Sequence, residues 1–213
     1  MSDHATNTPA AAEAGAPAGF LAAAPLTDHV ATMYRSDLET QGYVANLTRV
    51  WAHSPDALGA VSFAMGQALE IGGLDRTDRA LLTTVTAASM GDSYCSMAFG
   101  SRLARVLGDD VAAAVVSGED ADLDERHRAL AAWTRAVVRD SSSTTPADVE
   151  ELRRAGLDDR QIYGVTLFVA LRLAFSTVNS ALGAGPDAAL VARAPVALRR
   201  AIGYGRLGRT AVS

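Results

Sequence analysis

Leu74-Asp75-Arg76-Thr77-Asp78-Arg79-Ala80-Leu81-Leu82, followed by Ala87-Ala88-Ser89-Met90-Gly91-Asp92-Ser93-Tyr94-Cys95-Ser96-Met97-Ala98-Phe99, decides how the chain folds. Asp75 precedes an apolar run at helical spacing through Leu81, Leu82 and Val85. That is an N-cap position, where a carboxylate accepts from the helix's first free N–H groups. Gly91 ends the helix, because glycine enters the left-handed conformation without a Cβ penalty. Asp92 then caps a second helix running through Cys95 to Val106. The stretch predicts two helices joined at a glycine, with a Tyr-Cys pair in the first turn of the second.

The same signals continue outward. Thr27 caps a helix to about Gly42, and Asn46 to His53 is a short helical turn carrying Leu47, Val50 and Trp51. Ser54-Pro55 sets a capping hydroxyl before a proline at the first helical position. The helix it opens carries Leu58, Val61, Phe63, Met65 and Leu69 and stops at Gly72-Gly73. Asp109 to Val116 is short. Asp124 to Arg139 is amphipathic, with Leu130, Trp133 and Val137 as its apolar stripe. Thr145-Pro146 opens a helix that ends before Gly156. Asp158 or Asp159 caps the longest helix, Gln161 to about Leu182, and Pro195 to Tyr204 forms the last. No run alternates with strand period between turn doublets. The fold class is all-α. Residues 1–25, rich in Ala, Gly and Pro, read as a disordered tail, residues 26–205 as one helical domain, and residues 206–213 as a second tail.

Composition narrows the function. The 213 residues are 49% apolar and carry a net charge of -5, which argues against a nucleic-acid partner. All 19 basic residues are arginine, so Schiff-base and lysine-nucleophile mechanisms, which need a deprotonatable amine, are excluded. Cys95 is the single cysteine. It leaves no disulfide framework, no thiolate metal cage and no dithiol redox chemistry within one subunit. His4, His29, His53 and His127 lack metal-ligand spacing, so no metal is expected. No glycine-rich phosphate loop is present, and no cofactor is expected. The first residues lack a basic segment ahead of an apolar one, unlike a secretory signal. The apolar run Val165 to Val178 is broken by Arg172 and falls short of a bilayer span. The expectation is a cytoplasmic protein without a membrane partner.

The opening stretch resembles the alkylhydroperoxidase D-like superfamily, which includes carboxymuconolactone decarboxylases and peroxidase-related proteins. Tyr43-Val44-Ala45-Asn46-Leu47 and Ala155-Gly156-Leu157-Asp158-Asp159-Arg160-Gln161-Ile162 agree with it, as does Asn179 with Leu182-Gly183. The similarity runs from Tyr43 to Gly183. It implies that superfamily's helical domain in a homo-oligomer, often a trimer or a multiple of it, with a small-molecule pocket at or near a subunit interface. The family pattern has a glutamate on the first helix, Cys-x-x-Cys at the start of the second, and a histidine one turn later. Matched position by position, these fall on Ala80, Asp92, Cys95 and Phe99. In the parent chemistry a thiolate attacks a peroxide and a second thiol resolves the sulfenic acid. Here the resolving thiol and the proton relay are replaced.

The candidate catalytic residues are therefore Asp92, Cys95 and Tyr94, and the candidate substrate-binding residues Arg172, Ser176, Asn179 and Phe99. Cys95 lies in a first helical turn, which favours a thiolate, while Asp92 beside it opposes one; the alternative is a buried, inert thiol. Asp92 reads as an N-cap that can also face a pocket as a general base or acid. Tyr94 is expected to pack with its hydroxyl at a wet edge. Phe99 makes an apolar spot or part of the core. Arg172 lies among apolar residues and shares a helical stripe with Ser176 and Asn179. It either holds a substrate carboxylate or enolate, or makes an ion pair with Asp92 or another acid, a role arginine commonly serves. The leading expectation is a repurposed, non-redox enzyme acting on a small, partly hydrophobic molecule by decarboxylation, isomerisation, elimination or cyclisation. One rival is a one-cysteine peroxidase or redox sensor. The other is a non-catalytic binding or assembly subunit whose pocket is filled by Phe99 and Met97.

Overall fold

Side-chain caps open most of the helices in a computed structural model that describes residues 19–120 and 122–207. The helices are α1 (Asp28–Gln41), α2 (Asn46–Trp51), α3 (Pro55–Gly72), α4 (Arg76–Met90), α5 (Ser93–Leu107), α6 (Asp109–Ser117), α7 (Glu125–Asp140), α8 (Pro146–Arg154), α9 (Asp159–Ala181), α10 (Ala188–Arg193) and α11 (Val196–Ala201). A 3-10 turn, Ser141–Ser143, follows α7, and no strand occurs among the described residues. Thr27, Asp75, Asp92, Thr145 and Asp158 cap as their sequence positions predict. Asp158 rather than Asp159 caps α9, in a reciprocal pair with Gln161. α10 has no sequence signal because Asp187 ahead of it makes no side-chain cap. The Asp187 carboxylate is engaged elsewhere, as described below.

α9 is the axis. It packs along α3, α4 and α7, and α4 packs in turn on α5 and α7. Leu81, Leu82, Val85, Leu103, Leu130, Val165 and Val169 form the centre of the main core. The buried threonines of α4 fit this apolar setting because Thr84 and Thr86 donate to the carbonyls of Ala80 and Leu82 one turn back, each at 2.7 Å. α9 has 23 residues, and its most apolar window has a mean hydropathy of 1.4. It is thus long and apolar enough to cross a membrane, contrary to the expectation from Val165–Val178. Of that window, 44% is buried inside the fold, where α9 packs on α3, α4 and α7.

Residues on both sides of the expected helical domain are tied to it. Residues 1–18 and 208–213 lie outside the described residues, but Gly19 to Pro25 is fastened to the domain. The Phe20 N–H donates to the Leu182 carbonyl at 2.9 Å, and Ala24 is buried with Val30, Tyr34, Val44 and Ala52. At the other end the Arg206 N–H donates to Ser93 Oγ at 2.9 Å, and its guanidinium to the Ser180 carbonyl.

The approach of α3 to α9 depends on two glycines. A Cβ on Gly164 would lie 2.3 Å from the Gly72 nitrogen, closer than any real contact. Gly164→Ala must push the two helices apart, at a cost of about 3 kcal/mol. Gly59→Ala, on the open face of α3 where a Cβ meets nothing within 4 Å, should instead stabilise by about 0.5–1 kcal/mol. Denaturant midpoints at unchanged slope test both predictions.

Candidate functional site

A cavity of about 620 Å³ opens where α3, α5 and α9 meet the ends of α1 and α10. Cys95, Tyr94, Phe99 and Arg172 line it, with Met65 and Phe175. The cap of α5 sets the position of the thiol. Asp92 Oδ1 accepts the Cys95 N–H at 3.0 Å, which fixes the first turn and turns Sγ toward α9. The sulfur is nearly sealed, at 1% exposure.

Arg172 answers it from α9. Nη2 lies 3.1 Å from Cys95 Sγ, and Nη1 reaches Met65 Sδ at 3.9 Å. The guanidinium carbon sits 4.7 Å from the Phe175 ring centroid and 5.3 Å from that of Phe99. Phe175 is itself backed by Trp51, stacked at 4.8 Å. Asn179 Nδ2 is 3.8 Å from the same sulfur, while its Oδ1 accepts the Trp51 indole N–H at 2.9 Å. The expected ion pair of Arg172 with Asp92 or another acid is not formed. Although only 5% exposed, Arg172 meets no carboxylate among the described residues, and its Nε–H has no acceptor.

The electrostatics keep the sulfur protonated. Burial pushes the Cys95 thiol up to about 12, the Arg172 charge pulls it down, and Asp92 pushes it further up. The helix N-terminus is therefore outweighed by desolvation, because the charged form loses its hydration.

Other sequence candidates are placed differently than expected. Asp92 is 2% exposed and is not among the residues that line the cavity; its Oδ1 caps α5, and its Oδ2 has no hydrogen-bond partner among the described residues. Ser176 and Asn179 are fully buried behind the wall. The Tyr94 hydroxyl is not at a wet edge: it donates to Asp187 Oδ2 at 2.9 Å in a buried contact. Asp187 also accepts the Asn46 N–H at 3.0 Å. Burial raises the pKa of both Tyr94 and Asp187, so the phenol keeps its proton. Phe99 lines the cavity without filling it, and Met97 turns away into the cluster with Val116, Leu198 and Ile202. Sequence reasoning missed Arg79 and Arg102, whose guanidinium carbons lie 5.9 and 4.3 Å from the Phe99 centroid. Arg102 follows Phe99 by one helical turn, a spacing that brings side chains together.

Solved structures share this arrangement of helices. The core of an alkylhydroperoxidase AhpD, an uncharacterized peroxidase-related protein from Ralstonia eutropha JMP134, superposes with a TM-score of 0.70 at 25% identity, over 82% of this chain and 95% of that one. A peroxidase-related protein from Silicibacter sp. TM1040 gives 0.66 at 22% identity, over 83% and 93%. This chain has the alkylhydroperoxidase D-like fold. The debrominase Bmp8 shares it, with a TM-score of 0.64 at 16% identity over 84% and 96% of the two chains. It also matches as a cysteine-to-alanine variant in complex with 2,3,4-tribromopyrrole. No family model matches the sequence, and no curated protein is significantly similar to it.

Within the alkylhydroperoxidase D-like fold, the positions matched to the family pattern divide in two. Cys95 and Phe99 line the cavity, whereas Ala80 and Asp92 are buried away from it. At neutral pH, Cys95 in the native chain should react with iodoacetamide far more slowly than in the denatured chain. Its rate should climb about tenfold per pH unit, with the thiolate fraction, and level off only as the pH approaches 12. Arg172→Gln removes the cation against the sulfur and should delay levelling off to still higher pH. A native plateau near neutral pH would show that the thiolate is already formed there.

Proposed function

We propose that the chain is a repurposed enzyme that works without a dithiol centre on a small, partly hydrophobic molecule. The Cys95 thiol is its proton donor. The observation that carries this reading is a lone, protonated thiol on the cavity wall, 3.1 Å from a guanidinium that has no carboxylate. A thiol held near 12 is a poor nucleophile at neutral pH but a competent acid toward a carbanion or enolate. When the C–C bond to a carboxylate breaks, carbon dioxide leaves, the electron pair stays on carbon, and that carbon takes the Cys95 proton. The sulfur keeps its electrons as a thiolate facing Arg172, and solvent returns the proton. Of the reactions expected from the sequence, decarboxylation is the one that needs only this proton donor. The occurrence of a debrominase on this fold supports a reading away from peroxide chemistry. Tyr94, tied to Asp187, holds the wall in place, and Asp92 positions the thiol through the cap.

The Cys95–Arg172 contact also favours a second reading, a one-cysteine peroxidase whose sulfenic acid is resolved by an external thiol. Two experiments separate them. Turnover of small apolar acids in heavy water should incorporate deuterium into the product. Cys95→Ala should reduce it about a hundredfold or more, while Asp92→Asn, which keeps a capping side chain, should retain most of it. An organic hydroperoxide with a sulfenic-acid trap should leave Cys95 unlabelled. Labelling together with catalytic peroxide consumption would replace this proposal by the peroxidase.

A homo-oligomer, a trimer or a multiple of it, belongs to the same proposal. α3 leaves Phe63 70% exposed, and covering that face favours association. Light scattering should give a mass above one chain, and Phe63→Glu should lower it.

A further inference from the structure

The cavity that holds Cys95 is lined by five arginines and two aspartates, within a chain whose net charge is -5. The excess positive charge gathers around one ring. The guanidinium carbons of Arg102, Arg172 and Arg79 lie 4.3, 5.3 and 5.9 Å from the centroid of Phe99. None of the three pairs with a carboxylate among the described residues. The ring attracts each cation through its quadrupole, but it cannot accept their several N–H groups or offset their mutual repulsion. Arg79 and Arg102 are both less basic than usual, first through burial and then through neighbouring arginines. Two polar atoms on the same wall are buried without a partner: Arg172 Nε, on a side chain 5% exposed, and Ser101 Oγ. Leu58, Met65, Leu69 and Phe175 make the rest of that wall apolar.

We infer that the cavity is built for an organic anion. Its carboxylate or phosphate group sits beside Phe99 among Arg79, Arg102 and Arg172, and its apolar body lies against Leu58, Met65, Leu69 and Phe175. Guanidinium groups suit such an oxygen anion because they offer paired N–H donors in a planar fork. Arg172 is buried and meets no carboxylate, so it binds such an anion more strongly than it would in water. This names the substrate class of the enzyme proposed above. Its catalytic meaning rests on that reading; the binding itself does not.

Calorimetric titration of the full chain with benzoate, phenyl phosphate and benzamide tests it. At least one anion should bind at least about tenfold more tightly than the neutral amide, the margin expected of a charge-assisted pair. Added salt should weaken it. Benzoate alone would identify a carboxylate ligand, and phenyl phosphate alone a phosphate ester; either result supports the inference. Arg102→Gln, at an exposed position expected to leave folding intact, should weaken the anion about tenfold and leave benzamide unchanged. Bound anion should also slow alkylation of Cys95. Equal binding of benzamide, or no binding of either anion, overturns the inference. Cys95→Ala should still bind the anion. If it does, and no deuterium incorporation depends on Cys95, the anion site stands and the proposed reaction falls. Cys95-dependent turnover of a neutral molecule without anion binding has the opposite meaning.

Discussion

Arg172 carries a charge it cannot lose in a place that leaves it only 5% exposed. Around it are a thiol, a thioether and two phenyl rings, all weaker partners than a carboxylate. Burying a cation this way is costly unless its surroundings are arranged for it. Phe175 must lie flat against it, and Trp51 must back Phe175. Asn179 must bridge Trp51 to the sulfur. The close approach of α3 and α9 at Gly72 and Gly164 brings Met65 within reach of the guanidinium. The cavity is thus organised around one side chain whose charge is only partly answered.

Cys95 is subject to opposing influences. The first turn of α5 and the guanidinium favour the thiolate, while desolvation and the Asp92 carboxylate favour the thiol. Desolvation is the largest influence, so the proton stays on sulfur at neutral pH. A peroxidatic thiol needs the opposite balance, with the thiolate formed in advance. Asp92 stands where the family pattern has its first cysteine. Its carboxylate gives α5 a cap and adds a negative charge beside the remaining sulfur. One substitution therefore removes the dithiol and strengthens the hold of the remaining thiol on its proton.

Much of the site was legible in the sequence. Cys95, Tyr94, Phe99 and Arg172 were singled out from the sequence, and all four reach the cavity. Asp92 was legible as a cap, and its burial, which only the fold sets, keeps it out of the cavity lining. The Arg79–Phe99–Arg102 grouping was half visible, since Phe99 and Arg102 are one turn apart. Arg79 comes from a different helix, and nothing local announces it. Asp187 was missed altogether. It reads as a loop acid, and only the fold brings it to Tyr94, 93 residues away.

The sequence by itself determined every helix but α10, together with most of their caps and apolar faces. These depend on contacts between residues three or four apart, which any short segment carries within itself. It also determined that a single thiol is available, and that every fixed cation is an arginine. The tertiary structure decided which charges meet. Cys95 and Arg172 are 77 residues apart, and they meet only because α5 and α9 both pack on α4. Whether the sulfur is a thiol or a thiolate follows from that burial. Desolvation and long-range charge depend on what surrounds a group in space, and sequence neighbours do not specify it.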